Sequence, residues 1–155
     1  MRAAFFKGRH PGWRGIFGIL IKHWMDGHYS HVELQFSDGM CGSSLYRDDG
    51  VRLKQVDFDP AEWDFIDLPD AMEPAARQWF NAHLGKAYDF LGDMHFVIGT
   101  IAASRDKWFC SRAVADSLGL QEGWRYDPNS LFDILQFITR PADAGFFTPI
   151  EKGIT

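Results

Sequence analysis

Residues His31-Val32-Glu33-Leu34-Gln35-Phe36 alternate polar and apolar side chains. They run into Ser37-Asp38-Gly39 and continue as Met40-Cys41-Gly42-Ser43-Ser44-Leu45-Tyr46. Alternation bracketing an Asp-Gly turn is the strongest short-range signal for a β-hairpin. The period of two also divides the first strand: Val32, Leu34 and Phe36 share one face, and His31, Glu33 and Gln35 share the other. An isolated hairpin is marginal in water, so the chain must supply more strands. The apolar run at 3–7, ended by Gly8 and Pro11, is predicted to be one. Residues 51–56 follow the turn Arg47-Asp48-Asp49-Gly50 and make another, and residues 63–68 a further one.

The second half of the chain changes period. Residues 73–84 place Ala76, Trp79, Phe80, His83 and Leu84 on one side of a helix that Gly85 stops. Residues 110–118 repeat the pattern with Ala113, Val114 and Leu118, and Gly119 is the stop. Asp127-Pro128-Asn129-Ser130 is a helix-start signal before residues 131–138, which Pro141 ends. Two more helical segments are predicted. One covers 13–24, with Trp13, Ile16, Phe17, Leu20, Ile21 and Trp24 on one face, weakened by Gly15 and Gly18. The other covers 88–101, as a helix or helix–turn. Residues 142–155 read as a loosely packed tail. Strands first and helices second is the α+β pattern, and without repeats or a linker residues 1–155 read as one domain.

Composition narrows the function. The chain has 155 residues, 46% of them hydrophobic and 24% charged, which suits one globular domain. A net charge of −5 argues against a general nucleic-acid binder, although Lys7, Arg9, Arg14 and Lys22 make the N-terminal region locally basic. The apolar run at 15–21 is too short to span a bilayer, and the first residues lead straight into charge rather than into a secretory signal. The expectation is a soluble, cytoplasmic protein without a transmembrane segment. The two cysteines, Cys41 and Cys110, allow one disulfide but do not mark a disulfide scaffold. No Cys-x-x-Cys or His-rich cluster suggests a metal, and no cofactor is expected.

Cys110 opens a predicted helix and His31 opens a predicted strand, the arrangement a thiol nucleophile needs. The thiolate is the attacking species, and a helix N-terminus and a nearby imidazolium both favour it. The bland alternative is a buried structural cysteine. Glu33 shares the face of His31; it either orients the imidazole or is a solvated strand residue. Cys41 reads as structural.

Together, Ser30-His31-Val32 opening a hairpin, Gly85-Lys86-Ala87-Tyr88-Asp89, and Phe109-Cys110-Ser111 starting a helix resemble the circularly permuted papain-like proteins. These include permuted relatives of the NlpC-type cell-wall peptidases, the YiiX-like and YaeF-like bacterial proteins, and the lecithin:retinol acyltransferase-like enzymes. The resemblance covers roughly residues 28–120. His31 precedes Cys110 by 79 residues, the order of the permuted branch.

The resemblance implies a papain-like fold, a small antiparallel sheet or half-barrel packed on helices, with the catalytic Cys at a helix N-terminus. Cys110 would form a thioester acyl-enzyme, His31 would act as general base and acid, and backbone N–H groups at the helix start would bind the oxyanion. The family places a third polar residue twelve positions after the His, usually His, Asn or Gln. Here that position is Ser43, a departure that leaves Ser43 and Glu33 as rival orienters of His31. Tyr88, Tyr29, Ser111 and Trp108 would line the substrate site, and Asp89 would cap or pair structurally.

The implied activity is hydrolysis of an amide bond by a peptidase or peptidoglycan amidase in a bacterial or phage setting. Its substrate would be a peptide or a peptidoglycan fragment. Arg47, Arg52 and Arg112 are candidates for binding an acidic peptide end. An acyltransferase or lipid and ester hydrolase acting on an acyl substrate is the alternative. A non-catalytic binding module on the same fold is the third reading.

Overall fold

The computed structural model of the chain describes residues 1–7, 28–45, 48–87 and 109–140. Among these, five strands form one antiparallel sheet: β1 (Arg2–Phe6), β2 (His31–Gln35), β3 (Met40–Leu45), β4 (Gly50–Gln55) and β5 (Trp63–Asp67). Their order is β4-β3-β2-β1-β5. Three α-helices accompany the sheet: α1 (Glu73–His83), α2 (Cys110–Ser117) and α3 (Pro128–Thr139). The fold class is therefore α+β. The predicted helices at 13–24 and 88–101, the tail at 142–155, and Arg47, Tyr88, Asp89 and Trp108 lie outside the described residues.

Strand β1 lies between β2 and β5, and its apolar residues 3–6 are buried on both faces. Ala3 and Phe5 join the main core with Val32 and Leu34 of β2, to which α1, α2 and α3 add Phe80, Val114 and Leu131. Ala4 and Phe6 point the other way, into a smaller cluster with Trp63, Phe58 and Phe65. A strand without polar alternation is what two apolar faces require.

The β2–β3 turn closes as its sequence predicts. Gly39 takes the left-handed φ of +82°, and Asp38 Oδ1 accepts from Met40 N at 3.0 Å. Arg77 of α1 then straps the turn, donating to Asp38 Oδ1 at 2.7 Å and lying over the Phe36 ring. Asp127 caps α3 by accepting from Asn129 N at 2.7 Å and Ser130 N at 3.0 Å. Leu84 departs from expectation: the helix ends at His83, the Leu84 backbone turns extended (φ −51°, ψ 132°), and its side chain is exposed.

The Phe80 ring of α1 lies directly against Gly42 of β3. A Cβ built there would stand 2.7–2.8 Å from three carbons of the Phe80 ring. Gly42→Ala is expected to cost about 1–3 kcal/mol through overpacking, read as a lower urea midpoint. In the Gly42→Ala/Phe80→Leu double variant part of that cost returns, so the double loses less than the sum of the singles.

Candidate functional site

His31 begins β2 and Cys110 begins α2, and Cys110 is close enough to the imidazole to raise its proton affinity. Both are buried, and Cys110 and Cys41 are free thiols. Glu33, two residues along the same strand face, holds the imidazole: His31 Nε2 meets Glu33 Oε1 at 2.7 Å. Trp63 of β5 sits edge-on to the ring, with centroids 6.3 Å apart.

Glu33 is not a solvated strand residue. Its carboxylate is 2% exposed and accepts from Arg52 at both oxygens, Nη1 to Oε2 at 2.7 Å and Nη2 to Oε1. Arg52 reaches it from two strands away. Ser43 pairs with Arg52 in the β3–β4 register, and the β2–β3 register through Leu34 and Gly42 brings Glu33 opposite Ser43. All three side chains thus lie in one row across the sheet. Beyond Glu33, Arg52 Nε donates to Asp48 Oδ2 at 2.9 Å and Nη1 to Cys41 O at 3.3 Å. Lys54 closes the row of alternating charges on Asp48.

Proton affinities follow from these contacts. Burial pushes the His31 imidazole down, but the charge and hydrogen bond of Cys110, then those of Glu33, outweigh it and raise it from 6.5 to about 10. Burial would raise Glu33, yet His31 and Arg52 hold it below its ordinary 4.5. For Cys41, burial and the Glu33 charge push the thiol up to about 11.

The remaining predicted residues separate by what they touch. Ser43 Oγ donates to Val32 O at 2.8 Å, so its hydroxyl proton ties β3 to β2, while Glu33 holds the imidazole. Ser111 is wholly buried, and its hydroxyl donates to Tyr126 O at 2.6 Å, which braces the first turn of α2. Tyr29 is also buried. Its OH donates to Asp64 Oδ2 at 2.9 Å, its ring packs on Phe132, and its backbone exchanges hydrogen bonds with Asn129. Of the arginines proposed for an acidic peptide end, Arg52 is committed to Glu33 and Asp48, and Arg112 pairs with Asp116 at 3.5 Å.

The part played by Arg52 beneath Glu33 is what sequence reasoning missed. The available signal was one arginine inside the strand-like stretch 51–56, whose partner depends on the register of three strands. Among the described residues, no group of three His, Cys, Asp or Glu is arranged to hold a metal ion. No helix there is long and apolar enough to cross a membrane. No family model, curated protein or solved structure matches this chain.

The two shifts set how the contribution of the His31–Glu33 pair to stability depends on pH. The lowered Glu33 contributes stability that is present above 4.5 and lost as pH falls through its native value. The raised His31 contributes stability that is complete below 6.5 and lost as pH climbs through about 10. Both act together between pH 4.5 and 6.5. In urea titrations across pH 4–10.5, the deficit of His31→Gln relative to wild type should be greatest in that window and shrink toward the alkaline end. A deficit independent of pH would contradict this assignment.

Proposed function

We propose that this chain is a cysteine hydrolase of amide bonds on a permuted papain-like fold, with Cys110 as nucleophile and His31 as general base and acid. The observation that carries the reading is that Cys110, first residue of α2, lies close enough to raise the proton affinity of an imidazole whose Nε2 Glu33 holds. The order of elements is compatible with the permuted arrangement: the histidine strand and its hairpin precede the cysteine helix.

The chemistry proceeds in two halves. Cys110 Sγ, as thiolate, attacks the carbonyl carbon of a peptide amide. Negative charge develops on the carbonyl oxygen, and first-turn N–H groups of α2, which no carbonyl within the helix serves, are the natural donors to it. Collapse breaks the C–N bond, and the amine leaves with the proton His31 had taken from the thiol. A water then attacks the thioester as His31 removes its proton. The C–S bond breaks, the acid departs, and the proton returns to Cys110. Glu33 keeps the imidazole from turning and stabilises its charged form, the service a carboxylate gives a catalytic histidine. The substrate class is a peptide, including the peptide stem of peptidoglycan.

Two thiols in one chain provide the test. With iodoacetamide at pH 6, read by peptide mass spectrometry, Cys110 is expected to label at least about tenfold faster than Cys41, and His31→Gln should remove the difference. A panel of peptide acyloxymethyl ketones should modify wild type once and leave Cys110→Ala untouched. Equal, slow labelling of both cysteines with no ketone adduct would overturn the hydrolase reading.

A further inference from the structure

We infer that Arg52 is a positioning residue of this site: its guanidinium fork fixes the plane of the Glu33 carboxylate and through it the orientation of the His31 ring. The inference rests on the reading of Cys110 and His31 as a catalytic pair and goes one layer deeper.

Three features carry it. The first is the two-point hold: Nη1 and Nη2 engage different oxygens of Glu33, so the carboxylate cannot rotate about its last bond. Oε1, the oxygen His31 Nε2 meets, is one of the two. The second is that Arg52 is itself anchored on its far side, by Asp48 through Nε and by the Cys41 carbonyl through Nη1. Asp48 belongs to the β3–β4 turn, which Asp49 at φ +56° and Gly50 at φ +114° bend sharply enough to bring it back over Arg52. The third is the row itself. Ser43, between Arg52 and Glu33, is small enough for the arginine to pass and bonds its hydroxyl to the backbone of β2.

A role in filling space would need none of this matching. A lysine at position 52 keeps the charge but offers a point rather than a fork. A methionine keeps most of the length and neither.

The experiment compares wild type with Arg52→Lys, Arg52→Met and Asp48→Asn, each checked for fold by circular dichroism. Two readouts are taken: the proton resonance of the His31 Nε2–H, assigned by its absence in His31→Gln, and the Cys110 iodoacetamide rate at pH 6. A downfield, exchange-protected His31 N–H is expected in wild type. It should vanish in Arg52→Met, together with a loss of about tenfold or more in the Cys110 rate. Arg52→Lys should recover both in part, and Asp48→Asn should broaden the resonance.

A folded Arg52→Met with resonance and rate unchanged would overturn the inference while leaving the hydrolase reading in place. If Arg52→Met does not fold, an unbroadened resonance in Asp48→Asn together with wild-type behaviour in Arg52→Lys overturns it instead. If Cys110 already labels as slowly as Cys41 in wild type and no ketone adduct forms, the hydrolase reading fails. The resonance then decides separately whether Arg52 holds His31.

Discussion

Glu33 lies almost wholly out of water, and a carboxylate there stays ionised only where cations and donors reach both of its oxygens. That requirement organises the surroundings. His31 answers it from the same strand and Arg52 from two strands away, so the registers of β2, β3 and β4 must agree to the residue. A slip of one position in either pairing would turn Arg52 to the opposite face and leave the carboxylate without its fork. The residues beside Glu33 in the row are correspondingly small: Ser43 on one side and Ala4 on the other. The charges then alternate from His31 through Glu33, Arg52 and Asp48 to Lys54, which lets a polar network persist at a buried position.

The packing around this row makes its electrostatics count. Ala4, Phe6 and Trp63 form an apolar cluster beside it, with Phe58 and Phe65 at the margin, and Trp63 covers an edge of the imidazole. In such surroundings each hydrogen bond to Glu33 is stronger than it would be in water, and each missing one is more costly. The main core meanwhile fixes α2 against β2 through Ala113, Val114 and Leu34. Ser111 and the Tyr126 carbonyl brace the same first turn. Cys110 is thus held by packing and His31 by polar contacts, and their meeting point joins the two systems.

Much of the scaffold was legible in the sequence because its signals are local. The Asp-Gly turn and its flanking alternation gave the β2–β3 hairpin, Asp127 gave the start of α3, and Gly119, at φ +76°, gave the stop of α2. Leu84 was misplaced because helical periodicity was extended one residue past the point where the backbone leaves the helix. Within the site, His31, Glu33 and Cys110 were all named, yet the contest between Glu33 and Ser43 could not be decided from spacing. Both residues lie on the right face; only the direction of each side chain separates them. The partners of the Ser111 and Tyr29 hydroxyls, Tyr126 O and Asp64, were likewise not legible in spacing, because each comes from a distant part of the chain.

The sequence by itself determined the α+β order of elements, the face that His31 and Glu33 share, and the thiol and imidazole at the starts of their elements. These depend on periods of two and 3.6 and on turn chemistry, which act within a few residues. Tertiary structure alone decided that the polar face of β2 is buried, that Arg52 pairs with Glu33 and Asp48, and that Ser43 ties β3 to β2. Each of those depends on which strands are neighbours and in what register, and residues 19 apart meet only when the chain has folded. Burial then turns an ordinary carboxylate and arginine into a fixed pair, because removing water makes any other arrangement too costly.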